Sequence, residues 1–461
     1  MLRIRPFTIG GLATAAVLLV AALPAGASAA TAATSAAAAI GTAGGSSTAG
    51  GSSTAGPAGS RPLPAQPAAG RYRIGPASAF IDNELGADSC NALSNGSSSH
   101  FTCEAAGWWA DINGDAVDIT PLVLGWDQGT SWGGFLTGGG DTRYPNIFQT
   151  AESCASPQEL EPTCLIVGEH YKTTRYAAQF AEYGAGGVST VLQGNPKGAT
   201  WSSLQGASCP VTTLTFCMVV GQAGTSKKSG SKIVYHGHAT AYTFNGTNFR
   251  KLTVPAVAHA RNSELASVSC STTTNCVAVG NYTGAAGKWR GYAAIWAAGK
   301  WRLQATPGVS HQSRVTMESV SCPAAATCVA TAVSQYPGEH AAAERWTGGK
   351  WRNMTMPSRG AATLYSISCP TTTNCFAVGG HGNGTLAEAW NGTRWSVQKS
   401  PATGKPDNGD NLNSVSCVTD NECVAVGFRF NPKTRPSRQL FRNLAEEWNG
   451  TTWRVQTTPN Q

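Results

Sequence analysis

The stretch Asn413-Ser414-Val415-Ser416-Cys417-Val418-Thr419-Asp420-Asn421-Glu422-Cys423-Val424-Ala425-Val426-Gly427 decides the fold, because the chain contains it several times over. Ala266-Ser267-Val268-Ser269-Cys270, Glu318-Ser319-Val320-Ser321-Cys322 and Tyr365-Ser366-Ile367-Ser368-Cys369 open three more copies. In each, a second Cys follows six residues later, at Cys276, Cys328, Cys375 and Cys423, and leads into an apolar run such as Val277-Ala278-Val279-Gly280. A Trp pair five residues apart comes next: Trp296/Trp301, Trp346/Trp351, Trp390/Trp395 and Trp448/Trp453.

The first half repeats this pattern with drift. Cys209/Cys217 precede Phe244 and Phe249, Cys154/Cys164 precede Tyr183 and Val188, and Cys90/Cys103 precede Trp126 and Trp132. That gives seven units. Each holds four short runs rich in Val, Ile, Thr and Trp, separated by polar turns. Asn391-Gly392 and Asn449-Gly450 stand at the third turn, where Asn-Gly favours the positive φ angles of tight hairpins. Four antiparallel strands per unit of about 40–50 residues, arrayed in a ring, make a β-propeller. The expected fold is therefore all-β: a seven-bladed β-propeller with four antiparallel strands per blade. Blades are expected near 80–140, 141–198, 199–258, 259–308, 309–358, 359–404 and 405–461 of a domain covering 71–461.

These units resemble the β-propeller repeats of secreted actinobacterial proteins and, more distantly, sialidase-type and kelch-type propellers. Trp126-Asp127-Gln128-Gly129-Thr130-Ser131-Trp132 resembles the Asp-box, the turn that joins the third and fourth strands of a sialidase-type blade. The resemblance implies a fold and leaves function open, since propellers host unrelated activities.

Outside the repeats, residues 1–29 read as a signal peptide: Arg3 and Arg5, an apolar stretch from Ile9 to Leu23, then the small-residue pattern Ala27-Ser28-Ala29. Residues 30–70 are Ala, Gly, Ser, Thr and Pro, a disordered linker with nothing large to bury. No second apolar stretch of spanning length follows, so no membrane span is expected in the mature chain. The expected location is secreted and extracellular.

That location places the cysteines in an oxidising compartment. All fourteen fall into close pairs, read as disulfides Cys90–Cys103, Cys154–Cys164, Cys209–Cys217, Cys270–Cys276, Cys322–Cys328, Cys369–Cys375 and Cys417–Cys423. Each closes a short loop, worth about 2–3 kcal/mol in the chain-entropy account. Zinc is the rival reading, but no His lies at ligand spacing beside the pairs.

Composition narrows the partners. Charged residues are 13 % of 461, the net charge is +8, and no Lys/Arg cluster is interleaved with aromatics, so nucleic acid is not an expected partner. The repeated Trp residues read as core. Trp108, Trp109 and Trp289 fall outside the repeated positions and are the candidates for stacking on sugar rings. Asp111, Asn113, Asp115 and Asp118 put oxygen side chains at loop positions 1, 3, 5 and 8, a spacing that suits Ca²⁺ and resembles the calcium loops of integrin-type propeller repeats. Ala116 stands where that pattern has Gly, and a solvated acidic turn is the alternative. No other cofactor is expected. His236-Gly237-His238 puts two rings on one face of a strand, with no third ligand to name. Seven Asn-x-Ser/Thr sequons begin at Asn95, Asn245, Asn281, Asn353, Asn383, Asn391 and Asn449, several at the Asn-Gly turns, where turn chemistry already explains the Asn.

No unit is marked out by catalytic residues. Arg302, Arg352 and Arg454 follow the second Trp, on the outer strand rather than at a substrate end. Asp88, Glu264 and Glu318 lie near the inner strand without forming an evident pair. No nucleophile elbow, phosphate loop or zinc-protease motif is present. The leading expectation is a secreted, monomeric, non-catalytic binding or scaffolding propeller whose ligand is an extracellular glycan or a cell-envelope component. The alternative is an extracellular carbohydrate-active hydrolase or lyase with its site assembled in the propeller channel.

Overall fold

The computed structural model describes residues 80–459, apart from short connecting segments of which 137–146 and 431–440 are the longest. The signal-peptide and linker readings fall on residues outside this range. The described chain is all-β, with seven sheets of four antiparallel strands spanning 80–136, 147–193, 201–252, 262–304, 315–354, 362–398 and 411–456. Each sheet is one contiguous stretch of sequence, its strands hydrogen-bonded in chain order. The first strand of blade 1 (Phe80–Ser94) packs against the first strand of blade 7 (Asn411–Thr419), so the ring closes. This is a seven-bladed β-propeller.

Period-2 alternation explains the apolar run after the second Cys. Val277 and Val279 of blade 4 pack with Val315, Met317 and Val320 of blade 5, while Ala278 packs with Met218 and Val220 of blade 3. Val-Ala-Val thus presents large side chains to the following blade and a small one to the preceding blade. Blade 7 uses the same rule at the closure. Val424 and Val426 bury against Leu85 and Phe101 of blade 1, and Ala425 sits with Phe376 and Val378 of blade 6. The second Trp of each pair is core, as Trp301, Trp351, Trp395 and Trp453 are all at most 6 % exposed.

The repeated Ser-x-Ser-Cys has a specific cause. In every blade the Ser before the first Cys accepts a hydrogen bond from the amide of the next blade's first Cys. Ser89 accepts from Cys154, Ser153 from Cys209, Ser208 from Cys270, Ser269 from Cys322, Ser321 from Cys369 and Ser368 from Cys417, at 2.9–3.0 Å. Ser416 closes the ring by accepting from Cys90 at 2.9 Å. The other Ser adds a second row: Ser267, Ser319, Ser366 and Ser414 accept from Val320, Ile367, Val415 and Asp88.

The seven disulfides join the cysteines pairwise within each blade, with Cα atoms 3.9–4.2 Å apart. In blades 4 and 7 the bonded residues face each other directly across the first hairpin. At the Asn-Gly turns only the Gly takes a positive φ, 90° at Gly246, 88° at Gly392 and 89° at Gly450. The Asn instead caps the turn: Asn391 Oδ1 accepts from the amides of Thr393 and Arg394, and Asn449 Oδ1 from those of Thr451 and Thr452.

Ser416→Ala leaves the Cys90 amide without its acceptor at the ring closure, and should cost about 1–3 kcal/mol in chemical denaturation. Lys350→Ala, on an exposed edge, should stay within about 0.5 kcal/mol of the parent.

Candidate functional site

The first strand of every blade carries one extra residue relative to its partner. The register skips at Gly86, Thr150, Gln205, Ala266, Glu318, Tyr365 and Asn413. Bulges re-aim side chains and bend strands. All seven bulged residues line one partly enclosed cavity of about 210 Å³ on the ring axis, built from the first strands of all seven blades. The backbone approach behind a bulge is close. A Cβ on Gly280 would stand 2.0 Å from the Glu264 carbonyl oxygen, which explains the Gly after Val-Ala-Val; blade 5 carries Ala332 there. The bulge therefore gives seven equivalent backbone sites filled by seven different residues.

The cavity is acidic. Asp88, Glu152, Glu264 and Glu318 line it, and no Lys, Arg or His does among the described residues. Glu264 is buried and accepts from Asn281 Nδ2 at 3.1 Å, while the same Asn281 amide grips Met317 of blade 5 through its backbone N at 2.7 Å and O at 3.1 Å. Burial pushes the Glu264 carboxyl up to about 7, with the neighbouring Glu318 charge adding to the rise and the Asn281 hydrogen bond opposing it. Burial likewise pushes Asp88 up to about 7, and Ser414 and Ser416 offset this only in part. Glu152 is held well above the usual carboxylate range by burial and by the charges of Glu104 and Asp88.

These acids break the repeat. Asp88 and Glu152 occupy the place before Ser-Cys that holds Ala207, Val268, Val320, Ile367 and Val415 in blades 3 to 7. Glu104 follows the second Cys, where the other blades have Leu165, Met218, Val277, Val329, Phe376 and Val424. Between blades 1 and 2 the apolar cluster among the described residues is only Ala106, Val123 and Ile166. Sequence reading singled out Asp88, Glu264 and Glu318 but passed over Glu152 and Glu104. The signal that would have found them is the loss of an apolar residue at a fixed place in the unit.

The other candidates are not among the described residues that line the cavity. Trp289 is half-buried at the end of a hairpin, opposite Thr283, and does not line the cavity. Trp108 and Trp109 sit on the second strand of blade 1, opposite Pro121 and Thr120, with side chains outside the described residues. Asp111 and Asn113 end that strand (Ser99–Asn113), and Asp118 lies on the next (Ala116–Asp127), directly opposite Asp111. The backbone there is a hairpin; Asp115 and the side chains of the other three lie outside the described residues. His236 and His238 are exposed on the third strand of blade 3. Trp126 and Trp132, which bracket the Asp-box-like turn, are buried and stack with centroids 6.1 Å apart; residues 128–131 lie outside the described residues.

No family model matches the chain, and no curated protein matches it. Solved structures do. A polysaccharide lyase, an ulvan lyase with one structure bound to -[GlcA(1-4)Rha3S]-, is 9 % identical, with 83 % of this chain and 97 % of that one covered at a TM-score of 0.50. YCF48 from Cyanidioschyzon merolae is 12 % identical over 75 % of this chain and 94 % of its own, at a TM-score of 0.44. Trypanosoma rangeli sialidase in complex with sialic acid is 9 % identical over 80 % and 54 %, at 0.41. At these identities the likeness is one of fold alone.

Glu264 and Glu344 are both buried acids raised from 4.5 to about 7. An acid whose pKa rises on folding favours the folded state most when protonated. Its contribution is complete below about pH 4.5 and is lost as pH climbs through about 7. The melting temperature should therefore fall between pH 5 and 8, and Glu264→Gln, which keeps an acceptor for Asn281, should flatten that fall. A melting temperature that rose with pH over this window would contradict the assignment.

Proposed function

We propose that this protein is a secreted, non-catalytic binding or scaffolding propeller that recognises an acidic glycan or envelope polymer on its outer surface. One observation carries the reading. The axial cavity, at about 210 Å³ among the described residues, is smaller than ordinary small-molecule sites of roughly 300–1,000 Å³, which favours the outer surface for a polymer. Among the described residues its lining also offers no arginine to grip a carboxylate.

The outer edges supply what the axis lacks. Arg250, Arg302, Arg352 and Arg454 are exposed on the fourth strands of blades 3, 4, 5 and 7, each one residue after the second aromatic. Lys300 and Lys350 precede it in blades 4 and 5 and are also exposed. Cations repeated at one place around a rigid ring suit a polymer with repeated negative charge. Seven disulfides fit an oxidising compartment, and no helix among the described residues is long and apolar enough to cross a membrane.

A carbohydrate-active enzyme is the second reading, favoured by the four carboxylates on the axis. Binding to an array of neutral and acidic glycans, with product release followed on the same polymers, separates the two. The expected result is retention of acidic polymers that weakens as salt rises, with no shortening of the chains. Arg302→Ser/Arg352→Ser/Arg454→Ser should weaken binding at least tenfold. Polymer cleavage that Asp88→Asn abolishes would favour the enzyme, and an array with no signal would remove the glycan.

A further inference from the structure

Charge is unevenly spread around the ring. Residues 71–198, which cover blades 1 and 2, hold six Lys or Arg against 14 Asp or Glu, a net charge of −8. Residues 199–308, blades 3 and 4, hold ten Lys or Arg against one acid, a net charge of +9. That one acid, Glu264, is 2 % exposed, whereas every Lys and Arg side chain described in these two blades is exposed. Among the described residues, blades 3 and 4 therefore show solvent many cations and no carboxylate.

Five of these cations gather where the second and third strands turn. In blade 3 these two strands outrun their neighbours. The first strand pairs no further than Trp201 with Gly224, and the fourth no further than Leu252 with Ala241, while residues 225–229 and 232–236 pair only with each other. At about 3.3 Å per residue, this ribbon projects roughly 17 Å beyond the blade. It carries Lys227 and Lys228. In blade 4 the same turn is flanked by Lys288 and Arg290, and Arg261 is fixed beside it because its amide donates to the Thr283 carbonyl at 2.7 Å.

Each turn shows the other blade an aromatic ring as well as a cation. Ala241 of blade 3 packs with Leu265 and Val268 of blade 4, and Tyr292 of blade 4 packs with Met218 and Val220 of blade 3. Period-2 alternation then puts Tyr235 on the side of blade 3 that faces blade 4, and Arg290 on the side of blade 4 that faces blade 3. Tyr235 stands edge-on to Trp201, with centroids 5.6 Å apart. Lys228 is on the same side, two residues beyond Ser226, the partner of Tyr235. Tyr282, directly opposite Arg290, meets the Tyr292 ring at 6.1 Å. Tyr235 and Tyr282 are half-buried. A half-covered ring beside an exposed cation offers a flat apolar face and a positive charge together, which matches a sugar ring that bears an acidic group.

We propose that the turns between the second and third strands of blades 3 and 4 anchor an acidic glycan chain. Lys228, Arg261 and Arg290 hold its carboxylate or sulfate groups, and Tyr235 and Tyr282 stack on its sugar rings. The proposal rests on the acidic-polymer reading above and gives that polymer an anchor at the other end of the blade from Arg302, which lies beside the third turn. The acidic composition of blades 1 and 2 repels such a chain, so it runs from blade 3 toward blade 4.

Calorimetric titration of the full chain at low salt tests it, with polygalacturonate, its neutral methyl ester, dextran sulfate, polyphosphate and vesicles containing phosphatidylglycerol as separate probes. The expected result is saturable binding of polygalacturonate, dextran sulfate or both, weakened by salt, and no binding of the methyl ester. Polygalacturonate alone would assign a carboxylate, and dextran sulfate alone a sulfate; either supports the site. Lys228→Ser/Arg261→Ser/Arg290→Ser should weaken binding at least tenfold more than Arg302→Ser/Arg352→Ser/Arg454→Ser, which removes the same charge. Tyr235→Leu/Tyr282→Leu, which keeps the charge and the apolar bulk, should weaken sugar-polymer binding at least fivefold and leave any polyphosphate binding unchanged. Equal losses in the two triple variants, or a Tyr variant that matches the parent or loses polyphosphate equally, would overturn the anchor and leave the acidic-polymer reading standing. A full chain that binds no acidic sugar polymer, or vesicles alone, would overturn both.

Discussion

The hydrogen bond from the first-Cys amide of one blade to the Ser hydroxyl of the blade before it is the constraint on which the ring depends. Each sheet is contiguous in sequence, so among the described residues no strand from one end of the domain completes a blade at the other. Closure between blades 7 and 1 is therefore non-covalent. It rests on Ser416 and Ser414 accepting from Cys90 and Asp88, on Asn413 Nδ2 donating to the Leu85 carbonyl at 2.9 Å, and on Val424, Val426 and Ala445 buried against Leu85 and Phe101. The Ser-to-Cys bond recurs at the six other junctions, so the closing junction shares that contact with all the rest. The disulfide holds the end of the hairpin whose amide makes the bond, and so links order within a blade to order between blades.

Side chains on the inner and outer strands then follow different rules. On the second strand, alternation sends one set of side chains forward and the other back; blades 4, 6 and 7 send large residues forward and Ala back, while Ile166 and Val219 face back in blades 2 and 3. On the first strand, the bulge frees one position per blade from sheet pairing. Pairing within the sheet does not dictate the side chain there, and Gly86, Thr150, Gln205, Ala266, Glu318, Tyr365 and Asn413 all differ, Asn413 serving the ring closure through the Leu85 carbonyl. Diversity on the axis is thus a property of the backbone.

The fold was legible because its causes are local and repeated. Cys417 and Cys423 mark one hairpin, Trp448 and Trp453 another; their spacing survives in four copies, and the close Cys pair in all seven. The bulge was not legible, because an extra residue in a strand leaves no mark on composition; it shows only in the register of Leu412 with Gly427 and Ser414 with Val426. Glu152 and Glu104 were hidden for a different reason. They lie in the two most divergent units, where the alignment by Cys is clear but the apolar pattern has drifted. The role of Asn391 and Asn449 was half legible: the Gly takes the positive φ, while the Asn works through its side chain. Trp108 and Trp109 attract notice as a pair of large aromatics, yet sequence alone gives no measure of what covers them.

Hydrogen exchange at the seven first-Cys amides tests the central claim most directly. If the ring is closed by equivalent junctions, the amide of Cys90 exchanges as slowly as those of Cys270, Cys322, Cys369 and Cys417, within about tenfold. Fast exchange at Cys90 alone, at the rate of an exposed amide, would mean that blades 1 and 7 do not meet in solution and that the domain is an open array.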